Sequence, residues 1–86
     1  MNTSKDHMHR YQQELIEHLL KAKDSTSMEA TLNSLLTDTE LDEVCKRLQI
    51  FKLLETGMPQ RQIAETLGVG IATVTRGSRA LKRQQP

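Results

Sequence analysis

Apolar residues return along this chain at intervals of three and four, with no stretch of strand-like alternation. Met8, Tyr11, Leu15, Ile16, Leu19 and Leu20 mark one face of a first helix that reaches Lys23. Lys21 and Lys23 suit the negative end of its dipole. Met1 to about Asp6 is polar and reads as a frayed end. Asp24-Ser25-Thr26-Ser27 then interrupts the pattern. Thr26, with Glu29 three residues on, predicts a capping box for a shorter helix carrying Met28, Leu32, Leu35 and Leu36. Thr37 and Glu40 repeat the arrangement and open a third helix. Leu41, Val44, Leu48, Phe51 and Leu54 form its apolar stripe, widened by Cys45 and Ile50. Asp38, Glu40, Asp42 and Glu43 crowd its first turns, where the dipole favours acidic groups. Gly57 ends it.

The remaining pattern is the most specific. Residues 60–79 read QRQIAETLGVGIATVTRGSR, two short helices separated by a tight turn. Ile63, Ala64, Leu67, Val69 and Val74 fall on the inner side. Pro59 pre-sets φ for the first turn of the first of these helices. Gly68 stands where that helix must stop and accepts positive φ without a Cβ penalty. Small Ala64 allows the second helix, about Ile71 to Arg83, to cross closely. This is the helix-turn-helix pattern, whose second helix enters the DNA major groove. The fold class is therefore all-α, with residues 1–57 as N-terminal helices, 58–83 as a DNA-reading head and 84–86 as a tail.

Charge sharpens that division. The 86 residues carry a net charge of +1. Up to Gly57, seven Lys/Arg face ten Asp/Glu. Beyond it, Arg61, Arg76, Arg79, Lys82 and Arg83 face Glu65 alone. A basic reading head on an acidic scaffold is the footprint of a nucleic-acid binder. The aromatic share is only 2%, so a single chain has few large side chains for a core, which points to a dimer with a shared interior. Cys45 is the sole cysteine and sits among Leu41, Val44 and Leu48 as a small buried hydrophobe. His7 and His9 point to different helical faces, and neither they nor His18 join a ligand set, so no metal site is expected. No catalytic constellation stands out, so no enzyme is expected. No signal peptide or membrane-spanning run appears, which reads as a soluble cytoplasmic protein.

Residues 71–82, IATVTRGSRALK, closely resemble the tryptophan operon repressor family, one of the standard helix-turn-helix examples. The similarity extends back through MPQRQIAETLGVG and, more loosely, to LNSLLTDTELDEVCKRLQI. TRGS is its specific part. A mid-helix glycine costs about 1 kcal/mol relative to Ala, so Gly77 asks for a reason: close helix packing, or room for a flat indole beside Arg76. The resemblance implies an intertwined homodimer whose N-terminal helices form a common core. It implies L-tryptophan as corepressor, with no other cofactor, held between the reading helix and the helix before the head. Arg76 would pair its carboxylate, Arg47 would stack on its ring, and Gly77 would floor the indole slot. Backbone carbonyls around Leu36 and Thr37 would receive its ammonium. On double-stranded operator DNA, Gln60 and Arg61 match phosphate contacts. Gly70, Ile71, Ala72, Thr73 and Thr75 match the tip and exposed face of the reading helix, while Arg79 and Lys82 add charge.

Departures from the family pattern are also legible. Ser34 stands where a leucine is usual at the ligand pocket. Ala80 replaces a serine that helps hold the ammonium. The link from Arg47 to Arg61 is one residue shorter, and the family's last, dimer-closing helix is not represented up to Pro86. Two other readings stay open: a regulator of the same fold answering to another ligand or none, and an interaction module that no longer touches DNA.

Overall fold

The computed structural model describes residues 3–84. Five α-helices and no strand occur among them: α1 (Thr3–Leu20), α2 (Ser25–Leu35), α3 (Asp38–Glu55), α4 (Gln60–Leu67) and α5 (Ile71–Gln84). Residues 1 and 2 of the expected frayed end lie outside the described residues, whereas Thr3 to Asp6 already belong to α1. The helix stops at Leu20, short of the expected Lys23, and the turn carries N–H bonds from Lys21 to the His18 carbonyl and from Ala22 to that of Leu19. No helix among the described residues is long and apolar enough to cross a membrane.

The chain forms two compact units, one ending at Asp38 and the other beginning at Thr39. The first contains α1 and α2. Its second helix is capped by Asp24, not by Thr26 as the sequence suggests. The Asp24 carboxylate accepts the Ser27 N–H at 2.8 Å, and the Asp24 N–H reaches Ser27 Oγ at 3.2 Å. An ionised acceptor both makes the stronger bond and complements the dipole, so Asp24 outcompetes a threonine hydroxyl two residues later. The bond holds the Asp24 carboxyl below its ordinary range. Among the described residues neither helix of this unit buries a side chain fully; Met8, Tyr11, Leu15, Ile16 and Leu20 of α1 and Leu35 of α2 are exposed.

The second unit holds the only fully buried apolar side chains among the described residues, Ile50, Ile63 and Val74, one from each of α3, α4 and α5. Leu53, Leu54, Met58, Ala64, Leu67 and Val69 pack against them. The compact unit bearing the reading head starts at Thr39, and Ile50 ties α3 to it. A Schellman turn ends α3: Gly57 takes φ 86°, its N–H reaches the Leu54 carbonyl at 3.0 Å, and Met58 N–H reaches that of Leu53 at 3.3 Å. The α3 stripe is not buried as expected. Val44 and Leu48 are about half exposed, and Cys45 is exposed rather than a buried hydrophobe. The helix carries two apolar faces, and it is Ile50, Leu53 and Leu54 that enter the core of this unit.

Candidate nucleic-acid interface and ligand cleft

Pro59 is the N-cap of α4, so the helix begins at Gln60, one residue later than a proline in its first turn implies, with Pro59 at φ −61° and ψ 145°. Its carbonyl accepts the Ile63 N–H at 3.0 Å. Gly68 closes α4 at φ 68°, ψ 35°, and Val69 N–H returns to the Ala64 carbonyl at 3.0 Å. That reversal lets Val69 join the core while Gly70, Ile71 and Ala72 remain exposed at the start of α5. Gly70 accepts the Thr73 N–H at 3.1 Å, so the cap has no side chain standing in front of it. Arg61, Arg76, Arg79, Lys82 and Arg83 are all exposed. The salt bridges found among the described residues, Arg10–Glu14 and Lys46–Asp42, involve none of these five. Their charge is available to phosphates, where released counterions make binding salt-dependent.

Two predicted DNA-contacting residues also meet each other. Thr75 Oγ1 lies 3.0 Å from Gln60 Oε1 and 3.0 Å from the Ile71 carbonyl. A third, Thr73, accepts from Arg76 Nη2 at 3.3 Å, which braces the arginine along its own helix.

Between α3 and α5 runs a cleft of about 970 Å³. From α3 it receives Asp42, Glu43, Lys46, Arg47 and Ile50; from α5, Thr73, Arg76, Arg79 and Ala80, with Val69 and Gly70 at the turn. It thus brings together Arg47 and Arg76, which are 29 positions apart in the chain. Both are exposed. Leu36 and Thr37 belong to the other unit: Leu36 is the C-cap of α2, its N–H on the Leu32 carbonyl at 2.9 Å, and Thr37 directly precedes α3. Ser34 turns its hydroxyl onto the Thr31 carbonyl of its own helix at 2.8 Å.

Gly77 is buried but is not part of the cleft lining. A Cβ there would stand 2.8 Å from Ile50 Cγ2, so the missing side chain lets Ile50 of α3 settle directly on the α5 backbone. Of the two reasons for this glycine, close helix packing is the one the geometry supports. Sequence reasoning missed Glu43, Lys46 and Ile50 as cleft residues. Helical spacing carried the signal, since Glu43 and Ile50 are four and three positions from Arg47. No group of three or more His, Cys, Asp or Glu positioned for a metal ion occurs among the described residues.

A family model described as "Trp repressor protein" matches residues 11–86. The chain is 42% identical over 71 residues to a Trp operon repressor homolog of Vibrio parahaemolyticus, covering 81% of this chain and 69% of the relative. It is 39% identical over 71 residues to the homolog of Vibrio atlanticus, covering 72% of that relative, and 39% identical to that of Vibrio cholerae.

Proposed function

Because the chain belongs to the Trp repressor family, we propose that it is a transcriptional repressor, not an enzyme, that binds operator DNA through α4 and α5 and responds to L-tryptophan. It acts in the cytoplasm as a homodimer and regulates genes of tryptophan metabolism. One observation supports the ligand reading above all: the cleft sets Arg47 of α3 opposite Arg76 of α5, with Arg79 and Arg83 adding positive charge from α5. A planar guanidinium pairs a carboxylate as a two-pronged fork, which suits Arg76, and stacks on an aromatic face, which suits Arg47. Ile50 and Val69 add apolar wall. Gly77, behind the wall, fixes how closely α3 approaches α5.

Ligand in this cleft bears on α5 directly. It favours the DNA-competent state only by binding more tightly to the α5 pitch that DNA requires. Two such helices in a dimer reach successive major grooves about 34 Å apart. Gln60 and Arg61 serve the phosphates, with Arg79 and Lys82 adding attraction, while Gly70, Ile71, Ala72, Thr73 and Thr75 form the tip and exposed face of the reading helix. The exposed apolar faces of α1 and α3 support the dimer: among the described residues they leave seven large apolar side chains exposed, whereas only three apolar side chains are fully buried. Such faces are what a second chain would cover.

The test is binding to a tryptophan-operator-like duplex at several salt concentrations, with and without excess L-tryptophan. Affinity that falls steeply with salt and tightens about tenfold with ligand, roughly 1.4 kcal/mol, is the expected result. Ala80 favours a second reading, because it lines the cleft without a hydroxyl to offer an ammonium. Under that reading binding is salt-dependent but unmoved by tryptophan. Binding that ignores salt removes the DNA reading altogether.

A further inference from the structure

The bond between Gln60 and Thr75 joins the first residue of α4 to the second turn of α5, 15 positions further along. Both side chains are half-buried. The threonine hydroxyl has one hydrogen and two acceptors at 3.0 Å, Gln60 Oε1 and the Ile71 carbonyl. The Ile71 carbonyl is also the i−4 acceptor of the Thr75 backbone N–H in the ordinary helical pattern. Gln60 Oε1 has no other hydrogen-bond partner among the described residues. A partly buried acceptor left unpaired is costly, so the hydroxyl hydrogen belongs to Gln60.

From this we infer that Thr75 is a positioning residue for DNA binding, which acts by setting the orientation of the Gln60 carboxamide. With Oε1 engaged, the outward group of Gln60 is its Nε2 amino group, a donor only. A donor at that point suits a phosphate oxygen; the carboxamide oxygen would repel it. Free rotation of the amide would present the wrong end for part of the time, and donation of the hydroxyl hydrogen to Oε1 keeps Nε2 outward before DNA arrives. The inference rests on the DNA-binding reading above and adds to it a division of labour. Gln60 touches the backbone of the duplex, and Thr75 acts through Gln60.

A double-mutant cycle of the full chain decides it: parent, Gln60→Ala, Thr75→Val and the double variant, each titrated with operator-like duplex at the same two salt concentrations. Thr75→Val keeps the shape and removes the hydroxyl. Each single variant is expected to bind about three- to tenfold more weakly. The double variant is expected to be no weaker than the weaker single one, because the hydroxyl has nothing left to orient. Thr75→Ser restores parental affinity, and thermal unfolding of the free proteins stays within a few degrees of the parent throughout. Losses that multiply in the double variant mean two independent DNA contacts and overturn the inference. So does a Thr75→Val protein that binds as the parent does. If the parent itself fails to bind, or binds without salt dependence, it is the DNA reading that falls.

Discussion

Gly77 shows how one absent side chain decides a helix–helix distance. Replacing it with Ala gains about 1 kcal/mol of helix propensity but pushes a Cβ to 2.8 Å from Ile50 Cγ2. Ile50 is 1% exposed and cannot swing into solvent. Overpacking of this kind costs about 1–3 kcal/mol, so Gly77→Ala should be destabilised by roughly 1 kcal/mol net in urea unfolding. Ile50→Leu removes the offending methyl from the β-carbon, and in the double variant most of the loss should return. A Gly77→Ala protein more stable than the parent would show that Ile50 is not held against the backbone. Arg76 poses the complementary case, since it is exposed and contributes through charge and shape. Lysine keeps the charge and loses the fork. Arg76→Lys should therefore bind duplex with similar salt sensitivity while its response to L-tryptophan drops at least severalfold, as read by calorimetric titration.

At the scale of elements, helix ends carry the argument. Gly57 and Gly68 stop α3 and α4 by adopting positive φ, and both are evident in the sequence as the residues past an apolar run. The start of α2 is where sequence reasoning slipped, because Asp24, Ser25 and Thr26 all have capping chemistry and spacing alone does not rank them. The observed Asp24 cap has a pH signature. Its carboxyl titrates below the ordinary aspartate range, owing first to the Ser27 backbone N–H and then to the Ser27 hydroxyl. A group with a depressed folded-state pKa stabilises above its unfolded value and loses that contribution as pH falls through the folded one. Helicity of the chain should thus decline below about pH 3.8, and Asp24→Asn, which caps without titrating, should remove that component of the far-ultraviolet circular dichroism profile. An unchanged profile in Asp24→Asn would assign the acid transition to other carboxyls.

For the whole molecule, the decisive feature is how little one chain buries. Ile50, Ile63 and Val74 make a core for the reading head alone, while Val44 and Leu48 of α3 remain about half exposed. A dimer that covers them should appear in sedimentation equilibrium at twice the chain mass. Leu48→Glu places a charge in that face and should shift the protein to a less stable monomer with weaker duplex binding. A Leu48→Glu protein that stays dimeric would move the interface elsewhere.

Periodicity and turn chemistry were enough to read the five helices, the Gly57 and Gly68 stops and the basic reading head, because these are local properties of short stretches. Arg47 and Arg76 were singled out by resemblance, without any local reason to pair them. The tertiary structure alone decided which face of α3 packs inward, since Leu41–Val44–Leu48 and Ile50–Leu53–Leu54 are equally apolar and only a partner element chooses between them. It alone brought α3 and α5 together around the cleft that Arg47 and Arg76 share, and it alone joined Gln60 to Thr75. These are contacts between residues far apart in the chain, and such contacts leave no trace in the spacing of neighbours.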